Sequence, residues 1–194
     1  KILDPTAYFT MIRDPHTHFL AIFLRREKDY RYQGESMGNI WANFERKIDE
    51  IRDRVGHGNL QTYEHATYSQ NKPSSSPEVY HGFFENMEKT NPQDLFSKAI
   101  ENLESMFFFV GITELFEESL FLLFDMIGIR ETLMWRPGLY TYWRPGKDEM
   151  PMRIFKKLSA LLEADLELYH RNRQVLENML AEADFGEELI RYKQ

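Results

Sequence analysis

Tyr8-Phe9-Thr10-Met11-Ile12-Arg13-Asp14-Pro15-His16-Thr17-His18-Phe19 is the stretch on which the fold turns. From Ala7 to Ile12 the chain is apolar, aromatic or β-branched, a run too short for a stable helix and suited to a buried strand. Asp14-Pro15 closes it, because proline has no N–H for a ladder and its fixed φ suits the first turn of a helix. Phe19, Ile22, Phe23 and Arg26 then recur at i, i+3, i+4 and i+7, so an apolar stripe leads into Arg25-Arg26. The strand therefore passes through Arg13 directly into an amphipathic helix.

A second unit of the same kind lies further on. Phe107-Phe108-Phe109-Val110-Gly111-Ile112 is a continuous apolar run of the kind found in parallel sheets covered on both faces. Thr113-Glu114 supplies a capping hydroxyl and an acid near a helix N-terminus, and the helix it opens runs to about Ile127, before Gly128. Between the two units, Asn39 is a candidate cap for a helix whose core face is Ile40, Trp41, Phe44, Ile48, Ile51 and Val55, stopped by Gly56-His57-Gly58. Asn91-Pro92 starts another helix, with Leu95, Phe96, Ala99, Ile100 and Leu103 on its buried side. Residues 59–91 lose all periodicity and culminate in Pro73-Ser74-Ser75-Ser76-Pro77, so a long irregular loop is expected there. Arg136-Pro137-Gly138 and Arg144-Pro145-Gly146 are two turn tripeptides in an aromatic-rich stretch. From Met152 to about Leu180 the period is helical, with a break expected near Ser159. The expected fold is α/β, a parallel sheet flanked by more helix than strand, in one domain spanning 1–194.

The bulk numbers bound the function. At 194 residues and 42% hydrophobic content the chain can bury a full core. A net charge of -7 gives no overall positive field for non-specific nucleic-acid binding. Zero cysteines leave no disulfide framework and no thiolate metal site; they point to a reducing compartment, for which a bacterial cytoplasm is the expectation. No apolar run approaches the roughly 20 residues of a membrane span.

Common chemical motifs are missing: no phosphate loop of the G-x-x-x-x-G-K-[ST] form, no G-x-G-x-x-G, no H-E-x-x-H and no G-x-S-x-G. His16 and His18 offer two imidazoles but no third ligand at a matching spacing, so they are read as a helix-start pair. Glu114, Glu117, Glu118 and Asp125 read as a solvated acidic helix face. Tyr63, His65, Tyr68, Tyr80 and His81 form the candidate substrate-contacting set, since aromatic and imidazole groups on a loop suit recognition of a sugar or small molecule.

Three patches in fixed order carry more. Strand-Arg13-Asp14-Pro15-helix, then Asn59-Leu60-Gln61-Thr62, then Phe109-Val110-Gly111-Ile112-Thr113-Glu114, with Glu167-Leu168-Tyr169 on the last helix, resembles the carbohydrate sulfotransferases, nearest the heparan sulfate and uronosyl 2-O-sulfotransferase branch and its bacterial relatives. The resemblance runs over nearly the whole chain, in short patches. It implies a P-loop-like sheet and transfer of a sulfonate group from 3′-phosphoadenosine-5′-phosphosulfate (PAPS) to a hydroxyl of a carbohydrate or small metabolite, with no metal. A guanidinium at the carboxyl edge of a sheet, beside free N–H groups at a helix start, can hold a phosphate bidentately. The resemblance assigns that role to Arg13 on the donor's 3′-phosphate, and adds Arg144 and Lys147 as cations of a loop closing over the nucleotide.

The chain also departs from that pattern. A serine usual eight positions after the arginine is Ala21, and a basic residue usual five positions after it is His18, able to donate a hydrogen bond but mostly neutral at pH 7. In the family, the strand–loop–helix around the phosphosulfate and the catalytic base both precede the Arg-Asp-Pro strand. The chain here opens at Lys1, so it is expected to represent the C-terminal part of such a domain, and no catalytic residue is assigned. Two other readings stay open: a non-catalytic sulfotransferase-like interaction domain, and a small-molecule kinase with the same strand–Arg–helix layout.

Overall fold

The computed structural model describes residues 8–26, 36–67, 90–129 and 145–183. In order they form β1 (Tyr8–Ile12), α1 (Pro15–Arg26), α2 (Met37–Val55), α3 (Leu60–Ala66), α4 (Pro92–Met106), β2 (Phe107–Ile112), α5 (Phe116–Met126), α6 (Met152–Leu161) and α7 (Glu163–Glu182). Single 3-10 turns cover Thr113–Leu115 and Lys147–Glu149. The fold is a helix-rich α/β arrangement, and among the described residues its sheet is one pair of parallel strands. Phe9 pairs with Phe109 and Ile12 with Ile112, so the two apolar runs lie side by side and end together.

Local chemistry explains most boundaries. α2 starts earlier than a cap at Asn39 would allow, because Ser36 is the cap and its hydroxyl accepts the Asn39 N–H at 3.3 Å. It ends at Gly56, whose φ of 83° is the left-handed conformation that glycine adopts without strain. Asn91 caps α4 by accepting the Gln93 N–H at 2.9 Å, with Pro92 in the first turn. The break in the last helical stretch falls at Leu162, between α6 and α7. Ser159 stays inside α6, its hydroxyl donating to the Phe155 carbonyl at 2.8 Å.

One expectation is corrected outright: residues 60–66, taken as the start of a long irregular loop, are the helix α3. No apolar periodicity announces it, because four of its seven residues, Leu60, Gln61, Thr62 and His65, are buried and three of those are polar.

The core is two clusters. One gathers Phe19, Phe23, Phe44, Ile48, Leu158 and their neighbours from α1, α2 and α6. The other gathers Ile12, Phe109, Ile112, Leu122 and Leu168 around the strands, α4, α5 and α7. β1 belongs to one and α1 to the other, so the Arg13-Asp14 turn lies at their junction; α3 bridges the same junction, with Leu60 in the first cluster and Ala66 against the second. Gly58 makes this close approach possible. Its N–H donates to the Leu161 carbonyl at 2.8 Å, and a Cβ there would meet Leu161 Cδ2 at 2.9 Å and Phe19 Cε2 at 3.1 Å. Both side chains are packed in the core and cannot give way, so Gly58→Ala is expected to lower stability by about 1–3 kcal/mol in urea unfolding. Among the described residues, no helix is long and apolar enough to cross a membrane.

Candidate functional site at the carboxyl edge of the strands

Both strands end on a buried isoleucine, and the next residues carry the chemistry. Continuing the β1–β2 register past Ile12 and Ile112 sets Asp14 opposite Glu114. The Asp14 N–H accordingly points across to Glu114, whose two carboxylate oxygens accept it at 3.1 Å each. Arg13 faces the other way, as alternation along a strand requires. Its N–H donates to Gln61 Oε1 at 2.9 Å, and its carbonyl accepts from Gln61 Nε2 at 2.8 Å. One side-chain amide thus pairs both polar groups of one strand residue, as a further strand would.

The Arg13 side chain is different. Among the described residues it forms no ion pair, and its Nε is buried without a hydrogen-bond partner. Its electrostatic neighbour is His18, one turn into α1. Burial drives the His18 pKa down to about 4, and the Arg13 charge adds to the effect. His65 follows the same logic: burial, then the neighbouring His18, bring it to about 4. At neutral pH the imidazole beside the guanidinium is therefore uncharged, and among the described residues no carboxylate pairs with Arg13. Such a setting favours an incoming anion.

Asp14 organises the turn. Its Oδ1 accepts both the N–H and the hydroxyl of Thr17, at 2.9 and 2.8 Å, which caps the N-terminus of α1. Its Oδ2 accepts from Lys147 Nζ at 2.9 Å. Burial works to raise the Asp14 pKa, but the Thr17 and Lys147 bonds outweigh it and leave it below the usual value. Next to it, His16 Nε2 lies 2.8 Å from Ser159 Oγ and its ring stacks on Phe155, with centroids 4.3 Å apart. Because the Ser159 hydroxyl proton is committed to Phe155, His16 is the donor at Nε2; burial lowers its pKa against the pull of Asp14.

α3 is held from α7. Asp165 is 1% exposed, and its carboxylate accepts the Gln61 N–H at 3.1 Å and the Thr62 N–H at 2.7 Å. In return the Asp165 N–H donates to Asn59 Oδ1 at 3.1 Å. A remote aspartate thus does for α3 what a local cap does elsewhere. Burial raises its pKa to about 6, against the pull of those N–H groups.

Of the residues expected at a site, His18 neighbours the Arg13 guanidinium, while Lys147 pairs with Asp14, the next residue along the chain. His65 lies on α3, 5% exposed, its ring edge-on to Phe107 at 5.8 Å; it is not presented on a loop. Tyr63, on the same helix, packs against the α1–α2–α6 cluster. His16 and His18 diverge, one to Ser159 and one to Arg13. Glu114 is not simply part of a solvated face, since it holds the Asp14 N–H. Arg144, Tyr68, Tyr80, His81 and the turn at Arg136 lie outside the described residues. Nothing in the sequence singles out Asp165 or Gln61, because the groups they bind lie 104 and 48 positions away. No family profile, characterised protein or solved structure matches the chain.

Proposed function

We propose that the chain is a sulfotransferase domain in which Arg13 holds the 3′-phosphate of PAPS while the sulfonate passes to a hydroxyl of a saccharide or small metabolite. The observation that carries the reading is a guanidinium without a carboxylate partner among the described residues, standing where the parallel strand β1 turns into α1. Ligands of open α/β sheets sit at that edge. On this reading the sheet is P-loop-like. The residues present suit the phosphate end of the donor: the Arg13 fork can donate two hydrogen bonds, and His18 can add one while neutral. Ala21 adds none. Lys147, paired with Asp14 next to Arg13, supports a second cation on the donor side. The donor supplies the transferable sulfonate group. What these residues contribute is a fixed seat for the 3′ end of the donor, which orients it for an in-line displacement.

Calorimetry with adenosine 3′,5′-bisphosphate tests this. Arg13→Ala is expected to weaken binding about 30-fold, the scale of charge-assisted hydrogen bonds to a phosphate, with little change in thermal stability. An unchanged affinity removes Arg13 from the site. Preference for a nucleoside triphosphate would favour a kinase, and binding of neither would favour the interaction domain to which the missing hydroxyl at Ala21 points.

A further inference from the structure

We infer that Gln61 is a positioning residue for Arg13, and that Asp165 holds Gln61 in place to do it. The inference rests on the reading of Arg13 as the phosphate ligand, but its geometry is independent of which anion binds.

Past Ile12 the β1–β2 ladder has no further residue pair, and a strand end with free N–H and C=O groups frays. Arg13 is the first residue beyond that end, yet both its backbone groups are occupied by one planar amide, at 2.9 and 2.8 Å. Together with the Glu114 bonds to the Asp14 N–H, this fixes the peptide planes on either side of the Arg13 Cα. With the backbone fixed, the direction in which the side chain leaves is fixed as well. Gln61 in turn has little freedom. It is 3% exposed, its own N–H is bound by Asp165 Oδ2, and the next N–H, of Thr62, is bound by Oδ1 of the same carboxylate. A continuous chain of hydrogen bonds therefore runs from α7 through the first turn of α3 to the residue that faces the anion. A core glutamine serving packing alone would not need to match donor to acceptor and acceptor to donor on a single residue.

The test compares Gln61→Met, which keeps length and removes both bonds, with Leu60→Val, which loosens the same helix without touching Arg13. Two readouts are taken: affinity for adenosine 3′,5′-bisphosphate, and the Arg13 Nε–H resonance in a nitrogen–proton spectrum, assigned by its loss in Arg13→Lys. Gln61→Met is expected to weaken binding about tenfold and to shift the Nε–H resonance towards those of exposed arginines, while Leu60→Val leaves both near wild type. Wild-type values in Gln61→Met, or equal losses in the two variants, would overturn the positioning role. If the unsubstituted chain fails to bind the bisphosphate, the donor reading falls, and the Nε–H resonance alone still decides whether Gln61 aims Arg13.

Discussion

Lowering the pH from 6.5 to 4 should destabilise the fold by about 3 kcal/mol net, and replacing Asp165 with asparagine should roughly double that loss. His18 and His65 are both held near pKa 4 by burial, against 6.5 unfolded. A depressed folded pKa means that the unfolded chain takes up the proton first. The stability each histidine contributes is therefore complete above pH 6.5 and lost as pH falls towards 4, on the order of 3 kcal/mol apiece. His16 and His57, whose pKa values burial also lowers, act in the same direction. Asp165 opposes them. Its folded pKa is raised to about 6 from 3.8, so its contribution is complete below 3.8 and disappears as pH rises through 6. Acidification thus recovers about 3 kcal/mol at Asp165 while removing twice that at the two histidines. Urea unfolding at pH 7, 6, 5 and 4 measures the balance. His65→Gln should flatten the curve and Asp165→Asn should steepen it; parallel curves for all three proteins would mean that these groups titrate alike folded and unfolded.

Asp165→Ala should cost about 3–5 kcal/mol at pH 7. The substitution leaves the Gln61 and Thr62 N–H groups buried without an acceptor, opens a cavity at a site 1% exposed, and frees the first turn of α3. Relief of the buried charge offsets part of this, which is why the loss stays below the sum of two charge-assisted bonds. Asp165→Asn keeps an acceptor for Thr62, at 2.7 Å, but turns an amide N–H towards the Gln61 N–H, so about half the loss is expected. A drop under 1 kcal/mol for Asp165→Ala would show that α3 does not depend on its remote cap. These measurements stand apart from ligand binding and hold whatever the anion is.

How far the sequence could be read depended on the range of the interaction. β1, α1, β2 and α5 were legible because an apolar run, a proline after an acid and a 3.6 period are written within a few neighbours. The parallel pairing of the two strands followed from their continuous apolar character, and Arg13 stood out because it ends one of them. Ser36 displaced Asn39 as the cap of α2 for a local reason too: both residue types cap well, and only the backbone decides which adopts the extended conformation. α3 was not legible, since its buried face is polar and its stabilising partner is far away. Lys147 was placed at the site by resemblance, yet what the fold adds is its tie to Asp14, 133 positions earlier.

By itself, then, the order of residues settled which segments become strand or helix and that a cation would sit where β1 turns into α1. Only the packed molecule decided what surrounds that cation: Gln61 at a separation of 48 residues from Arg13, Glu114 at 100 from Asp14, and Asp165 at 104 from Gln61. Backbone preference acts over one or two turns, whereas a buried donor takes whichever acceptor the converging elements bring to it. The partner of a polar group in a core is for that reason a property of the assembled fold.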